Sequence, residues 1–131
     1  METHRIKKEP AQAIHILIVE DKTSIAQTLI RILQREFGTQ AEVSSCRLAE
    51  DALLELNTES VDLLITDWEL PKMSGSDLII QARQLFPNLK IIFMTGNPSA
   101  QIEADVKGYA DAYFTKPFRL PDLVHRIHEL I

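Results

Sequence analysis

Cysteine is nearly missing from this sequence: Cys46 is the only one in 131 residues. A lone thiol cannot close an internal disulfide or supply a thiolate-rich zinc site. Long apolar runs are missing too, and runs of a handful of residues cannot span a bilayer. The N-terminus lacks the apolar core of a signal peptide. These absences predict a cytoplasmic protein with no membrane partner. Positive charge is in deficit, with 14 Lys and Arg against 19 Asp and Glu and a formal net charge of −5. That balance argues against direct nucleic-acid binding by this domain. Repeats and low-complexity tracts are absent. The composition that remains, 45% hydrophobic and 25% charged, is that of an ordinary globular protein. The length is one domain's worth of chain.

Residues 1–13 are polar and mixed in charge (Arg5, Lys7, Lys8, Glu9). They read as a flexible leader, which leaves 14–131 as the folded unit. Five segments then read as strands: Ile14 to Val19, Gln40 to Ser45, Val61 to Thr66, Leu89 to Thr95 and Ala110 to Thr115. Four of them are near-continuous apolar runs, the pattern of a parallel sheet covered on both faces. The second carries only Ala41 and Val43 as anchors, which suits a sheet edge.

Helical periodicity fills the gaps, over Ser24 to Phe37, Leu48 to Leu56, Asp77 to Phe86, Ser99 to Lys107 and Pro121 to Ile131. Gly38 and Gly108 follow two of these helices as stops. Pro121 sits where a first helical turn tolerates proline. Strand and helix alternate five times, so the expected class is α/β: a doubly wound five-stranded parallel sheet flanked by five helices.

Polar residues follow the strands in a telling way. Glu20 and Asp21 come after the first, Asp67 after the third, Thr95 ends the fourth and Lys116 follows the fifth. Open α/β sheets bind ligands outside the carboxyl ends of their strands. Three carboxylates gathered there repel unless a hard cation binds them, and Mg²⁺ takes oxygen ligands, waters and a phosphate. The set suits a divalent cation plus a phosphoryl group, with one carboxylate as nucleophile and Lys116 and Thr95 on the phosphoryl oxygens. Taken singly, each has an ordinary structural use: a turn cap, a strand end, a solvated charge.

Four motifs in order resemble those of response-regulator receiver domains of two-component systems. They are Val19-Glu20-Asp21, the run Asp67-Trp68-Glu69-Leu70-Pro71-Lys72-Met73-Ser74-Gly75, Met94-Thr95-Gly96, and Thr115-Lys116-Pro117-Phe118. The approach to the last strand, Lys107 to Tyr113, is similar as well. The resemblance covers roughly Ile14 to Ile131. It implies a flavodoxin-like sheet of order 2-1-3-4-5. It also implies that Asp67 accepts a phosphoryl group from a sensor histidine kinase or a histidine phosphotransfer protein. Mg²⁺ (or Mn²⁺) would be held by Asp21, Glu20, Asp67 and the Glu69 backbone carbonyl. Lys116 would contact the phosphoryl group, Thr95 would swing towards it, and Tyr113 would follow Thr95. The Lys116-Pro117 peptide would be cis. The face made by the fourth helix, fifth strand and fifth helix would carry the signal to a downstream protein or output domain. Such a domain assists its own phosphorylation and dephosphorylation and is not an enzyme.

Departures from the family pattern are informative. Glu20 replaces the commoner Asp and keeps a carboxylate on a longer arm. Gly96 stands where alanine is more usual, which predicts a mobile loop into the weak fourth helix. Glu69 lies two positions past the acceptor, where the family tunes phosphate lifetime. His125 and His128, three apart, form a surface pair more readily than a metal site. Cys46 is expected to be inert. Two rivals stand: an aspartyl-nucleophile phosphatase or phosphotransferase, with Glu69 at the acid/base position, and a flavodoxin-like flavin carrier. Against the second, Glu20-Asp21 would repel a phosphate lacking a metal. The chain is expected to be a single-domain regulator, the alternative being a receiver cut from the N-terminus of a longer protein.

Overall fold

The computed structural model describes residues 13–131; the proposed leader falls almost wholly outside them. The elements alternate as β1 (Ile14–Val19), α1 (Thr23–Phe37), β2 (Ala41–Cys46), α2 (Ala49–Thr58), β3 (Leu63–Asp67), α3 (Gly75–Leu85), β4 (Lys90–Thr95), α4 (Ala100–Val106), β5 (Ala112–Thr115) and α5 (Leu120–Leu130). The strands form one parallel sheet in the order β2-β1-β3-β4-β5. Class and order both match the expectation from sequence.

Alternation along the strands sorts side chains onto two faces. Leu17, Val19, Leu64, Ile91 and Phe93 meet Ala52 and Leu56 of α2, Leu78, Ile79 and Ala82 of α3, and Val106 of α4. Ile16, Ile18, Leu63, Ile65, Ile92 and Met94 meet Leu29 and Leu33 of α1 and Leu123 and Ile127 of α5. Each fully buried Leu or Ile contributes about 1.5–3 kcal/mol of transfer free energy. The central strands therefore cannot slide without exposing one core or the other.

Most elements match their sequence expectation to within two residues, β3 taking in Asp67 as its last residue, and three differences bear on the site. β5 alternates between half-buried and exposed instead of being buried on both faces, because it forms the second edge of the sheet. α3 starts at Gly75, two residues before Asp77, since the Ser74 hydroxyl caps it by accepting from the Asp77 N–H at 3.2 Å. α4 is short, seven residues, and only Val106 of it is buried.

Candidate functional site

The chain order reverses between β1 and β3, so the crevice at their carboxyl ends is the ligand position of this fold. Three residues there are each held by a ladder bond one step beyond their strand. The Glu20 N–H donates to the Cys46 carbonyl at 3.0 Å. The Trp68 N–H, next to Asp67, donates to the Met94 carbonyl at 2.8 Å. The Lys116 N–H donates to the Thr95 carbonyl at 2.7 Å. The sheet itself thus sets where the side chains begin.

Lys116 Nζ lies 3.0 Å from Asp67 Oδ2 and 3.8 Å from Glu20 Oε1. One ammonium serves two buried carboxylates, Asp67 at 5% exposure and Glu20 at 1%. Asp67 Oδ1 accepts from the Glu69 N–H at 3.4 Å. Glu20 Oε2 accepts from the Lys22 N–H at 3.0 Å, while Oε1 is buried with no hydrogen-bond partner. Burial is the main force holding the Glu20 carboxyl above its ordinary range. The Lys22 N–H opposes it, nearby Asp67 adds to it, and Lys116 and Lys22 offset part of it. The Lys116–Pro117 peptide is cis.

Asp21 stands at the rim. Its carboxylate lies 3.5 Å from the Arg47 guanidinium, and Arg47 Nε also donates to the Asp21 carbonyl at 3.3 Å. Two carboxylates converge on Lys116, then, and the third faces outward. Among the described residues no three His, Cys, Asp or Glu side chains gather as a ready cage. The donor set still fits Mg²⁺. That ion needs only one or two carboxylates and fills its shell with water and phosphate oxygens. Buried Glu20 Oε1 accepts no hydrogen bond and has only the shared Lys116 ammonium at 3.8 Å, and every donor offered is a hard oxygen.

Thr95 is fully buried at the end of β4. Its hydroxyl donates to Glu69 Oε2 at 2.8 Å and accepts from the Asn97 N–H at 3.0 Å. The Gly96 N–H donates to Glu69 Oε1 at 3.4 Å. Tyr113 is 39% exposed, and its hydroxyl donates to the Glu103 carboxylate on α4. That bond, more than burial or the Glu103 charge, raises the phenol above its ordinary range. Trp68 packs on Phe93 at 5.1 Å, and Phe93 stacks on Tyr113 at 5.1 Å and 12°. Aromatic rings therefore join the residue beside Asp67 to the sheet edge.

The loop after Asp67 is closed by α3. A Cβ on Gly75 would sit 2.4 Å from the Asp67 carbonyl and 2.8 Å from Trp68 Cα, so only glycine fits. Lys72 takes the left-handed conformation, φ 66°. Gly96 differs: its φ is not left-handed, and nothing lies within 4 Å of a Cβ placed there. The fold does not require a glycine at that position.

The histidine pair does not form a site. His125 faces Glu129 and His128 faces Glu36, each at 3.5 Å. Cys46 is pushed up to about 12, first by burial and then by Glu55 and Asp51, and so stays a thiol. A polar cluster that the sequence did not reveal surrounds His15. Its Nε2 lies 2.8 Å from Ser44 Oγ and 3.3 Å from Glu55 Oε2, and its backbone N–H donates to Asp62 Oδ2 at 2.9 Å. Only an unexpected histidine inside an apolar strand hinted at it.

The chain is similar to known proteins in sequence and fold. The response regulator receiver domain model matches residues 16–128. The chain is 32% identical over 117 residues to the response regulator receiver protein CpdR of Brucella abortus, covering 88% of this chain and 95% of that protein. It is 32% identical over 121 residues to the cell cycle transcriptional regulator CtrA of Caulobacter vibrioides. That match covers 90% of this chain but only 50% of CtrA, so the chain spans half the length of that relative. The response regulator TrrA of Thermotoga maritima, solved in complex with Mg²⁺-BeF, superposes with a TM-score of 0.81 at 29% identity, over 90% of this chain and 99% of that one.

Proposed function

The chain belongs to the response regulator receiver family of two-component systems, and from that premise we propose that Asp67 is its phosphoacceptor. The observation that carries the assignment is Lys116 Nζ, held 3.0 Å from Asp67 Oδ2 at the switch point of the sheet. An Asp67 oxygen attacks the phosphorus of a phosphohistidine on a sensor kinase or phosphotransfer protein. The O–P bond forms, the donor N–P bond breaks, and its electron pair returns to the imidazole. Lys116 neutralises charge on the incoming group and on the acyl phosphate. Glu20, Asp21, Asp67 and the Glu69 carbonyl would hold Mg²⁺ (or Mn²⁺), which supplies further positive charge at the phosphoryl oxygens when bound.

Thr95 and Tyr113 are the switch residues of this proposal, and the face of α4, β5 and α5 meets the downstream protein or output domain. Binding differences between the two phosphorylation states shift a pre-existing equilibrium. The protein assists its own phosphorylation and dephosphorylation without turning over a separate substrate. The Glu69 carboxylate faces Thr95 and Gly96, which leaves the acid/base position of a phosphatase unfilled. Residues 14–131 are the receiver unit. No described helix is long and apolar enough to cross a membrane, and the cytoplasm is the proposed location. Incubation with a small phosphodonor and Mg²⁺ tests the core of this reading. Mass spectrometry should show one hydroxylamine-labile phosphate on the parent and none on Asp67→Asn. Equal labelling of both would overturn it.

A further inference from the structure

The Thr95 hydroxyl is already committed. It donates to Glu69 Oε2 at 2.8 Å, while the other Glu69 oxygen accepts from the next N–H, that of Gly96, at 3.4 Å. The carboxylate therefore grips β4's last side chain and the first amide of the loop beyond it. Glu69 is exposed but anchored, since its own N–H donates to Asp67 Oδ1 at 3.4 Å. Among the described residues its carboxylate is the acceptor that the Thr95 proton reaches. A hydroxyl has one proton to donate, so it cannot serve Glu69 and a phosphoryl oxygen at once.

We propose that Glu69 is a positioning residue that latches Thr95 in the unphosphorylated protein, so that capture of a phosphoryl group at Asp67 must first release this carboxylate. The inference rests on the assignment of Asp67 as acceptor and Thr95 as switch. It gives Glu69 a direction of effect: the side chain holds back the phosphorylated state. Two causes act together. The Thr95 bond must break, and a carboxylate two residues from Asp67 repels an anion arriving there. Only the first depends on Thr95, which makes the two separable. Substituting the side chain leaves the Glu69 backbone carbonyl in place.

Beryllofluoride in Mg²⁺ is the probe, read by Trp68 fluorescence, in the parent, Glu69→Gln, Glu69→Ala, Thr95→Ala and the double variant Glu69→Ala/Thr95→Ala. Glu69→Ala should bind beryllofluoride about threefold to tenfold more tightly than the parent, the range of one net hydrogen bond. Glu69→Gln keeps an acceptor for Thr95 and loses the charge, so it should fall between the two. In the Thr95→Ala background most of the gain from Glu69→Ala should vanish. Parent affinity in Glu69→Ala would overturn the latch. So would an undiminished gain in the Thr95→Ala background, which would assign the whole effect to charge. Loss of the Asp67-dependent phosphate adduct is a separate result. That would sink the acceptor assignment, whereas a parent that labels on Asp67 with an inert Glu69 sinks the latch alone.

Discussion

Glu20 ends with one oxygen bonded to a backbone amide and the other unpartnered, beside a cation shared with Asp67. Its carboxyl is held above the ordinary 4.5, by burial first and Asp67 after it. A carboxyl raised on folding contributes stability in full below its unfolded value, and that contribution is lost as pH rises through the folded value. In chelator, Glu20→Gln should therefore melt higher than the parent near pH 7, by about 1–2 kcal/mol of stability for a buried oxygen left unsatisfied. The gap should shrink as pH falls through the raised range of the Glu20 carboxyl and close below the ordinary 4.5, where the group is protonated in both the folded and the unfolded chain. A constant gap across that range would mean that charge is not the cause. Lys116→Met should act oppositely. It strands two buried carboxylates and should cost about 2–3 kcal/mol, below the roughly 3–5 kcal/mol of a fully buried pair because Lys116 is partly solvated. Thermal melting in chelator checks both.

At the scale of the element, the start of α3 and the end of β4 make a contrast. Gly75→Ala drives a methyl into the Asp67 carbonyl and should destabilise by about 2 kcal/mol or more. Gly96→Ala meets nothing and needs no left-handed backbone, so it should be neutral or stabilising by about 0.4–1 kcal/mol through the unfolded chain. Chemical denaturation of the two variants gives the comparison directly. The same pair of elements shows what was legible in the sequence. Apolar runs gave away the buried central strands, because burial on both faces leaves no room for alternation. The polar strand ends gave away Glu20, Asp67, Thr95 and Lys116, because the sheet fixes where its carboxyl edge lies. The strand order came from the family motifs, not from periodicity. The outward turn of Asp21 was not legible, since it depends on Arg47, the residue just past the carboxyl end of the neighbouring strand β2. Nor was the direction of Glu69, which depends on a hydroxyl twenty-six residues away. His15 stayed hidden because the partners of its ring come from β2 and α2, which only the tertiary fold brings together.

Across the whole molecule, the rings Trp68, Phe93 and Tyr113 run from beside Asp67 to the edge of the sheet. Trp68 is the only tryptophan, so its emission reports on the acidic pocket and on the packing beneath it. Titration with Mg²⁺ and then beryllofluoride should change that emission saturably, and Asp21→Ala should weaken the Mg²⁺ response. A variant that titrates like the parent would remove Asp21 from the ligand set. Tyr113→Phe deletes the hydroxyl that reaches Glu103 and keeps the stacking ring. It should leave the Mg²⁺ response unchanged, because that hydroxyl bonds to α4, away from the acidic pocket.

The site is built across a seam of unequal firmness. Glu20, Asp67 and Thr95 hang from β1, β3 and β4, whose residues are almost all buried. Lys116 and Tyr113 belong to a four-residue edge strand and the step just beyond it, next to a helix that buries a single residue. Amide protons should register this as two clocks. Those of the three central strands should exchange with deuterium only when the whole domain opens, and those of α4 and β5 should exchange through local fluctuations orders of magnitude sooner. The carboxylates and Thr95 then sit on a floor that does not yield. Lys116 and Tyr113 sit on the wall expected to open first, so under the proposed phosphorylation a modest change at Asp67 has the cheaper side of the seam to rearrange.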